Sequence, residues 1–142
     1  MGHFVDLRKW KRREHYELFR KYRQPFFSVT VEVDVTNLWN RCGKPGGPPF
    51  FLSSLFLMLK AVNQTEAFRL RLRQRSVWLH DRVAVGPTIR RADETFGFVR
   101  LEPGGGRRQF VKAGMAAIAK ATGRATLEPM KRTDDIVFHS VL

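Results

Sequence analysis

The order of elements written in this chain predicts an α/β fold of two layers, a mixed sheet with helices on one side. Three observations carry that expectation. Residues 27–36 (FSVTVEVDVT) alternate apolar and polar without a break, the period of a half-buried strand. Residues 50–63 are apolar almost all round and long enough to be a buried helix. From residue 68 onward several short alternating segments give way to an Ala-rich helical stretch and a last apolar strand.

Taken in order, the first helix is expected over residues 10–20 (WKRREHYELFR), with Asp6 as a candidate cap. His15, Leu18, Phe19 and Tyr22 recur at helical spacing and form its apolar stripe, and Pro25 ends it. The strand over 27–36 follows, with Phe27, Val29, Val31, Val33 and Val35 on one face. Thr36 and Asn37 suit the cap of a short helical segment through Leu38 and Trp39. The run GKPGGPP at 43–49 reads only as a loop. After the long helix, Phe68, Leu70 and Leu72 alternate with arginines, and Gln74-Arg75-Ser76 makes a turn into Val77-Trp78-Leu79, a hairpin. Strands over 83–89 and 95–101 are joined around 90–94. Pro103 and Gly104-Gly105-Gly106 break the chain again. The next helix spans 107–121, with Phe110, Met115, Ile118 and Ala119 as its inner face and Gly123 as its stop. The final strand covers 136–142, and no internal repeat interrupts the series.

One domain is the expectation for 142 residues, of which 43% are hydrophobic and 12 are Phe. That content is incompatible with a disordered chain. One cysteine, Cys42, excludes an internal disulfide, so a reducing cytoplasm is the expected compartment. No signal peptide follows the basic N-terminus, and the longest apolar stretch is too short to span a bilayer, so a soluble protein without a membrane role is expected. The 26 Lys and Arg against 13 Asp and Glu give a net charge of +13, a field that attracts polyanions. Arg69, Arg71 and Arg73, placed on one strand face near Trp78, make nucleic acid a possible partner. The competing explanation is a solvated basic surface or a subunit contact. Gly104-Gly105-Gly106-Arg107-Arg108 has the look of an anion-binding helix start but lacks the lysine and hydroxyl of a P-loop, and a solvated loop is the plainer reading. One Cys and four dispersed His offer no metal-ligand spacing.

Several local motifs fall in a telling order. They are Trp10-x-Arg12-Arg13-Glu14-His15-Tyr16, then Phe27-Ser28-Val29-Thr30 with Val33-Asp34-Val35-Thr36. Ala61-Val62-Asn63-Gln64 with Glu66 and Arg69 comes next, then His80-Asp81-x-Val83 and Glu94-Thr95-Phe96. In this order, over roughly residues 6–102, the sequence resembles the front part of the chloramphenicol acetyltransferases. The resemblance implies an incomplete form of the CoA-dependent acyltransferase fold, a single truncated domain over residues 1–142. It implies acetyl-CoA as cofactor, a chloramphenicol-like hydroxyl compound as acceptor and a homo-oligomer, a trimer. In that family a histidine takes the proton from the acceptor hydroxyl and a Ser or Thr hydroxyl stabilises the oxyanion, general-base catalysis with a positioned acceptor.

The family's His-His-x-x-x-Asp-Gly signature does not occur in these residues. His3, His15, His80 and His139 are the available histidines, and none has a believable triad, so no catalytic residue is assigned. By resemblance Phe19, Phe27, Phe96 and Phe98 line the acceptor pocket, and Arg12 matches a structural arginine whose aspartate partner follows the catalytic histidine. Phe19 stands where the family often has tyrosine, Pro25 where some members have cysteine, and Phe98 where a small residue is common. Pro48-Pro49 replaces a lysine that meets a CoA phosphate in some members. The expectation is a domain unable to acetylate by itself, exposing apolar surface. The alternatives are a half-enzyme completed by a partner chain carrying the C-terminal part, or a basic binding module on the same scaffold.

Overall fold

The computed structural model describes residues 1–123, 126–127 and 133–140. The elements in order are β1 (Gly2–Phe4), α1 (Arg13–Phe19), α2 (Thr36–Cys42), α3 (Phe50–Gln64), α4 (Glu66–Arg69) and β2 (Leu70–Arg73). They continue with β3 (Ser76–His80), β4 (Ala84–Arg90), β5 (Phe96–Phe98), α5 (Arg107–Thr122) and β6 (Ile136–His139). The fold is α/β, as the element order implies, with the strands divided between two three-stranded sheets, β1-β3-β2 and β5-β4-β6. The second is the mixed one: β4 pairs antiparallel with β5 and parallel with β6, in the register Ala84↔Ile136 to Pro87↔His139.

The core sits where α3 and α5 pack on β4. Leu52, Leu55 and Leu59 of α3 meet Val85 and Ile89 of β4, Phe110, Val111 and Ala121 of α5, and the nearby Val99 and Leu101. All are almost fully withdrawn from solvent. Asn63 ties the end of α3 to the start of β4: its amide donates to the carbonyls of Leu59 and Val83, and its oxygen accepts the Val83 N–H at 2.9 Å. The β2–β3 hairpin closes through Gln74, whose φ of 54° takes the left-handed turn.

Several sequence expectations are corrected. The alternating segment forms no strand: residues 27–35 pair with nothing among the described residues, and Phe27, Val29, Val31 and Val33 are 70–88% exposed. Alternation marks a chain suited to a pleated sheet, but a strand exists only when a neighbour takes its amides and carbonyls. The first helix is shorter than 10–20, and Asp6 caps a turn by accepting the Arg8 N–H rather than starting the helix. Its stripe is not buried either. Tyr16 is the withdrawn residue, while Leu18, Phe19 and Tyr22 are about half exposed. Thr36 and Asn37 do not cap α2 by side chain; the Asp34 carboxylate accepts the Thr36 N–H at 2.9 Å and shapes its entry.

The inner face of α5 is also rotated from the expected one. Phe110, Val111, Gly114 and Ala121 are buried, whereas Met115 is 54% exposed and Ala119 faces solvent. Gly114 sets this orientation. A Cβ there would lie 2.6 Å from Leu52 Cδ2, so the helices touch where α5 has no side chain. The terminal strand is seen as β6, and the expected extension through residues 141–142 lies outside the described residues. β1, which pairs with β3 from Gly2↔His80 to Phe4↔Trp78, was not foreseen, because three residues carry too little pattern to announce a strand.

Candidate functional site

Arg12 and Phe19 come together at α1. Arg12 immediately precedes the helix and Phe19 is its last residue, about two turns on. Both line a cavity of about 310 Å³ whose other walls include Tyr16, Pro25, Leu70 and Leu72. Tyr16 anchors it from beneath, with Arg20 stacked 5.4 Å from the ring centroid. Phe19 leans on Tyr22 at 5.5 Å. The arrangement is an apolar trough with two arginines, Arg12 and Arg20, in its lining, a shape suited to a small aromatic molecule.

Phe96 and Phe98 stand elsewhere, as an edge-to-face pair 5.4 Å apart on β5. Both lie on one strand face, since residues two apart point the same way. Phe27 is 88% exposed on the unpaired segment. Thus the four phenylalanines named from the sequence fall on three separate places, one at α1, one on residues 27–35 and two on β5. None of the last three belongs to the α1 cavity.

The histidines divide plainly. His3 and His15 are exposed. His80 is buried, and its Nε2 lies 3.0 Å from Asp134 Oδ1. Its neighbour in sequence, Asp81, points its carboxylate at the N-terminal amine, at 4.0 Å. Asp134 is held doubly by Arg73, at 2.7 and 2.9 Å, and Arg73 itself stacks 4.3 Å over Trp78. Hydrogen bonding from Arg73 depresses the Asp134 pKa below the usual carboxylate range. His139 is half buried against Phe51, its Nδ1 without a partner among the described residues, and burial pushes its pKa down. Among the described residues none of the four is an exposed imidazole oriented by a carboxylate, the arrangement that would poise one as a general base.

The expected basic strand face is largely consumed by the protein itself. Arg69 donates to the His80 carbonyl at 2.7 Å. Arg71 donates to the carbonyls of Phe68, Leu70, Asp134 and Ile136, and burial lowers its pKa. With Arg73 on Asp134, Arg71 and Arg73 stitch the β2–β3 hairpin to the start of β6, while Arg69, the last residue of α4 rather than a strand residue, holds the end of β3. A nearby pair does the same for the start of β6 and the segment after β5: Arg100 grips Asp135 through two bonds of 3.0 Å. That grip lowers the Asp135 pKa to about 2. Sequence reasoning missed Asp134 and Asp135 as partners. Their distance in the chain, 61 residues from Arg73 and 35 from Arg100, leaves no local signal. Among the described residues no group of three His, Cys, Asp or Glu stands ready for a metal ion, and no helix is long and apolar enough to cross a membrane.

Comparison with known proteins bears directly on this arrangement. The family model described as chloramphenicol acetyltransferase matches residues 2–141. A chloramphenicol acetyltransferase of Proteus mirabilis is 33% identical over 85 residues, 60% of this chain and 39% of that protein. Chloramphenicol acetyltransferase 2 of Escherichia coli is 36% identical over 69 residues, 49% of this chain and 32% of that protein. The chain thus spans about a third to two fifths of the length of these curated relatives. A solved structure described as chloramphenicol acetyltransferase superposes with a TM-score of 0.82 at 24% identity, covering 99% of this chain and 69% of that one, a likeness of fold. With the match running nearly end to end, the chain belongs to the chloramphenicol acetyltransferase family.

Proposed function

We infer that these residues form the acceptor-side wall of a site that moves an acetyl group from acetyl-CoA to a hydroxyl of chloramphenicol or a similar compound. By themselves they do not carry out the transfer. The observation that carries this reading is the state of the histidines. Among the described residues His80 alone lies beside a carboxylate; it is buried, and its aspartate is already bound by an arginine. A base must reach the incoming hydroxyl, and a buried imidazole engaged in holding two strands cannot. The oxyanion donor has no assigned residue here either, and a transfer site lacking both gains only binding from its walls.

Arg12 and Phe19 in the α1 trough are the best-placed acceptor contacts, and Phe27, Phe96 and Phe98 complete a pocket once further polypeptide brings these walls together. That polypeptide is a region bearing the His-His-x-x-x-Asp-Gly signature, from a longer chain or a partner, within a homotrimer by likeness to the family. Exposed Phe26, Phe27, Val29, Val31 and Val33 supply the apolar surface such packing needs. Acetyl-CoA then enters between the two parts.

Complementation tests the proposal. A separate polypeptide carrying the signature region of a family member is mixed with this chain, and thiol release from acetyl-CoA is followed with chloramphenicol present. Activity is expected from the mixture and from neither part alone. A mixture that associates yet releases no thiol contradicts the assignment of this chain as one wall of the site.

A further inference from the structure

A cavity larger than the α1 trough lies elsewhere in the fold. It holds about 590 Å³ and opens at the far end of α3. Its floor is apolar, from Phe56, Leu59 and Phe110, with the two phenyl rings 5.6 Å apart. Its rim carries two cations, Lys60 and Arg82. Neither has a carboxylate within ion-pair distance among the described residues, whereas Arg13, Arg73, Arg90 and Arg100 all do. One acid, Asp81, shares the lining, and its carboxylate faces the N-terminal amine.

The cations are placed by rigid parts. Lys60 is on α3, one residue after the buried Leu59. Arg82 precedes Val83, whose N–H and carbonyl are both bound by the Asn63 side chain, so the main chain beside Arg82 is fastened to α3. The opposite wall is Gly104, Gly105 and Gly106. A Cβ on Gly104 or Gly106 would meet nothing within 4 Å, so the main chain there stands uncovered beside the cavity.

We propose that this cavity binds a small aromatic phosphate monoester, its phosphate held by Lys60 and Arg82 and its ring laid on Phe56, Leu59 and Phe110. A phosphate monoester carries about −1.5 to −2 charges near neutral pH, which balances two cations where a carboxylate leaves one over. Charge-assisted bonds from Arg and Lys to phosphate are the strong kind, and the apolar floor takes the ring. The site is separate from the acetyl-transfer wall. Lys60 lies about 15 Å along α3 from Phe50, at the opposite end from Pro48-Pro49, given the rise per helical residue. It stands whether or not that reading holds.

Phenyl phosphate is the probe, titrated into the whole chain while amide signals are followed by nuclear magnetic resonance. Saturable shifts are expected at Gly104, Gly105 and Gly106, with inorganic phosphate binding more weakly for want of a ring. The exposed pair Lys60→Gln with Arg82→Gln should weaken phenyl phosphate at least tenfold with the melting temperature unchanged. The pair Arg8→Gln with Lys9→Gln, which removes the same charge elsewhere, should leave it as it was. Absence of saturable shifts at the glycines overturns the proposal. So does an equal loss in the remote pair, which reduces the effect to net charge, or inorganic phosphate binding as tightly as the aryl ester.

Discussion

His80 and Asp134 are 54 residues apart in the chain and 3.0 Å apart in the fold, and Arg73 closes the same carboxylate from the other side. The sequence offered His80 no partner, because its adjacent acid, Asp81, points to the other strand face and Asp134 is too distant in the chain to be seen without a fold. The arginines of β2 were legible as a cluster and illegible as to purpose: alternation puts them on one face, yet only the arrival of β6 supplies their acceptors. Arg100 and Asp135 give this scale its prediction. The Asp135 pKa, near 2 in the fold through hydrogen bonds from Arg100, lies below its unfolded value. The pair therefore stabilises fully above about pH 4, and that contribution is lost as pH falls toward about 2. Because Arg100 and Asp135 keep about a third of their side-chain surface in solvent, the contribution is discounted to ~1 kcal/mol. Arg100→Gln should melt lower than the parent at pH 7, with the gap closing between about pH 4 and pH 2. Melting curves across that range check it, and a gap independent of pH contradicts it.

Among the elements, α3, the hairpin, β4 and α5 were readable because each carries a full local pattern or an unmistakable breaker. The side of α5 that faces inward was not. Hydrophobicity points to Met115, but close approach rewards the absence of a side chain, and Gly114 meets Leu52. A Gly to Ala change inside a helix ordinarily gains up to ~1 kcal/mol. Here the new methyl presses on a fully packed leucine, and Gly114→Ala should instead destabilise by about 1–3 kcal/mol in urea unfolding. Leu52→Ala, which alone should cost about 2–5 kcal/mol, should cost less in the Gly114→Ala background, because the new methyl occupies part of the vacated space. Strict additivity of the two would contradict the contact. Residues 27–35 present the opposite case, the clearest strand pattern in the sequence without a strand. Pattern reports what a segment is fit for, whereas pairing depends on what lies beside it. Val29→Thr with Val31→Thr should change stability by no more than about 0.5 kcal/mol per site, since both valines are 70% exposed or more. A loss several times larger would show that these side chains are covered in solution.

At the scale of the whole molecule, the family was legible from the order of motifs spread over the first hundred residues, and the match over residues 2–141 agrees. The four phenylalanines proposed by likeness as acceptor contacts were less so: the fold sets them on α1, β5 and the unpaired segment, so what would join them is not encoded locally. The net charge of +13 likewise has no single address: part is tied into the β2–β6 seam, and part rims the cavity beside α3. What unites these observations is a scaffold in which, among the described residues, no exposed histidine is oriented by a carboxylate. The most direct measurement is thiol release from acetyl-CoA by the purified chain of 142 residues, with chloramphenicol as acceptor and no other polypeptide present. The account predicts a rate no higher than the enzyme-free background; thiol release that depends on both the chain and chloramphenicol would contradict it.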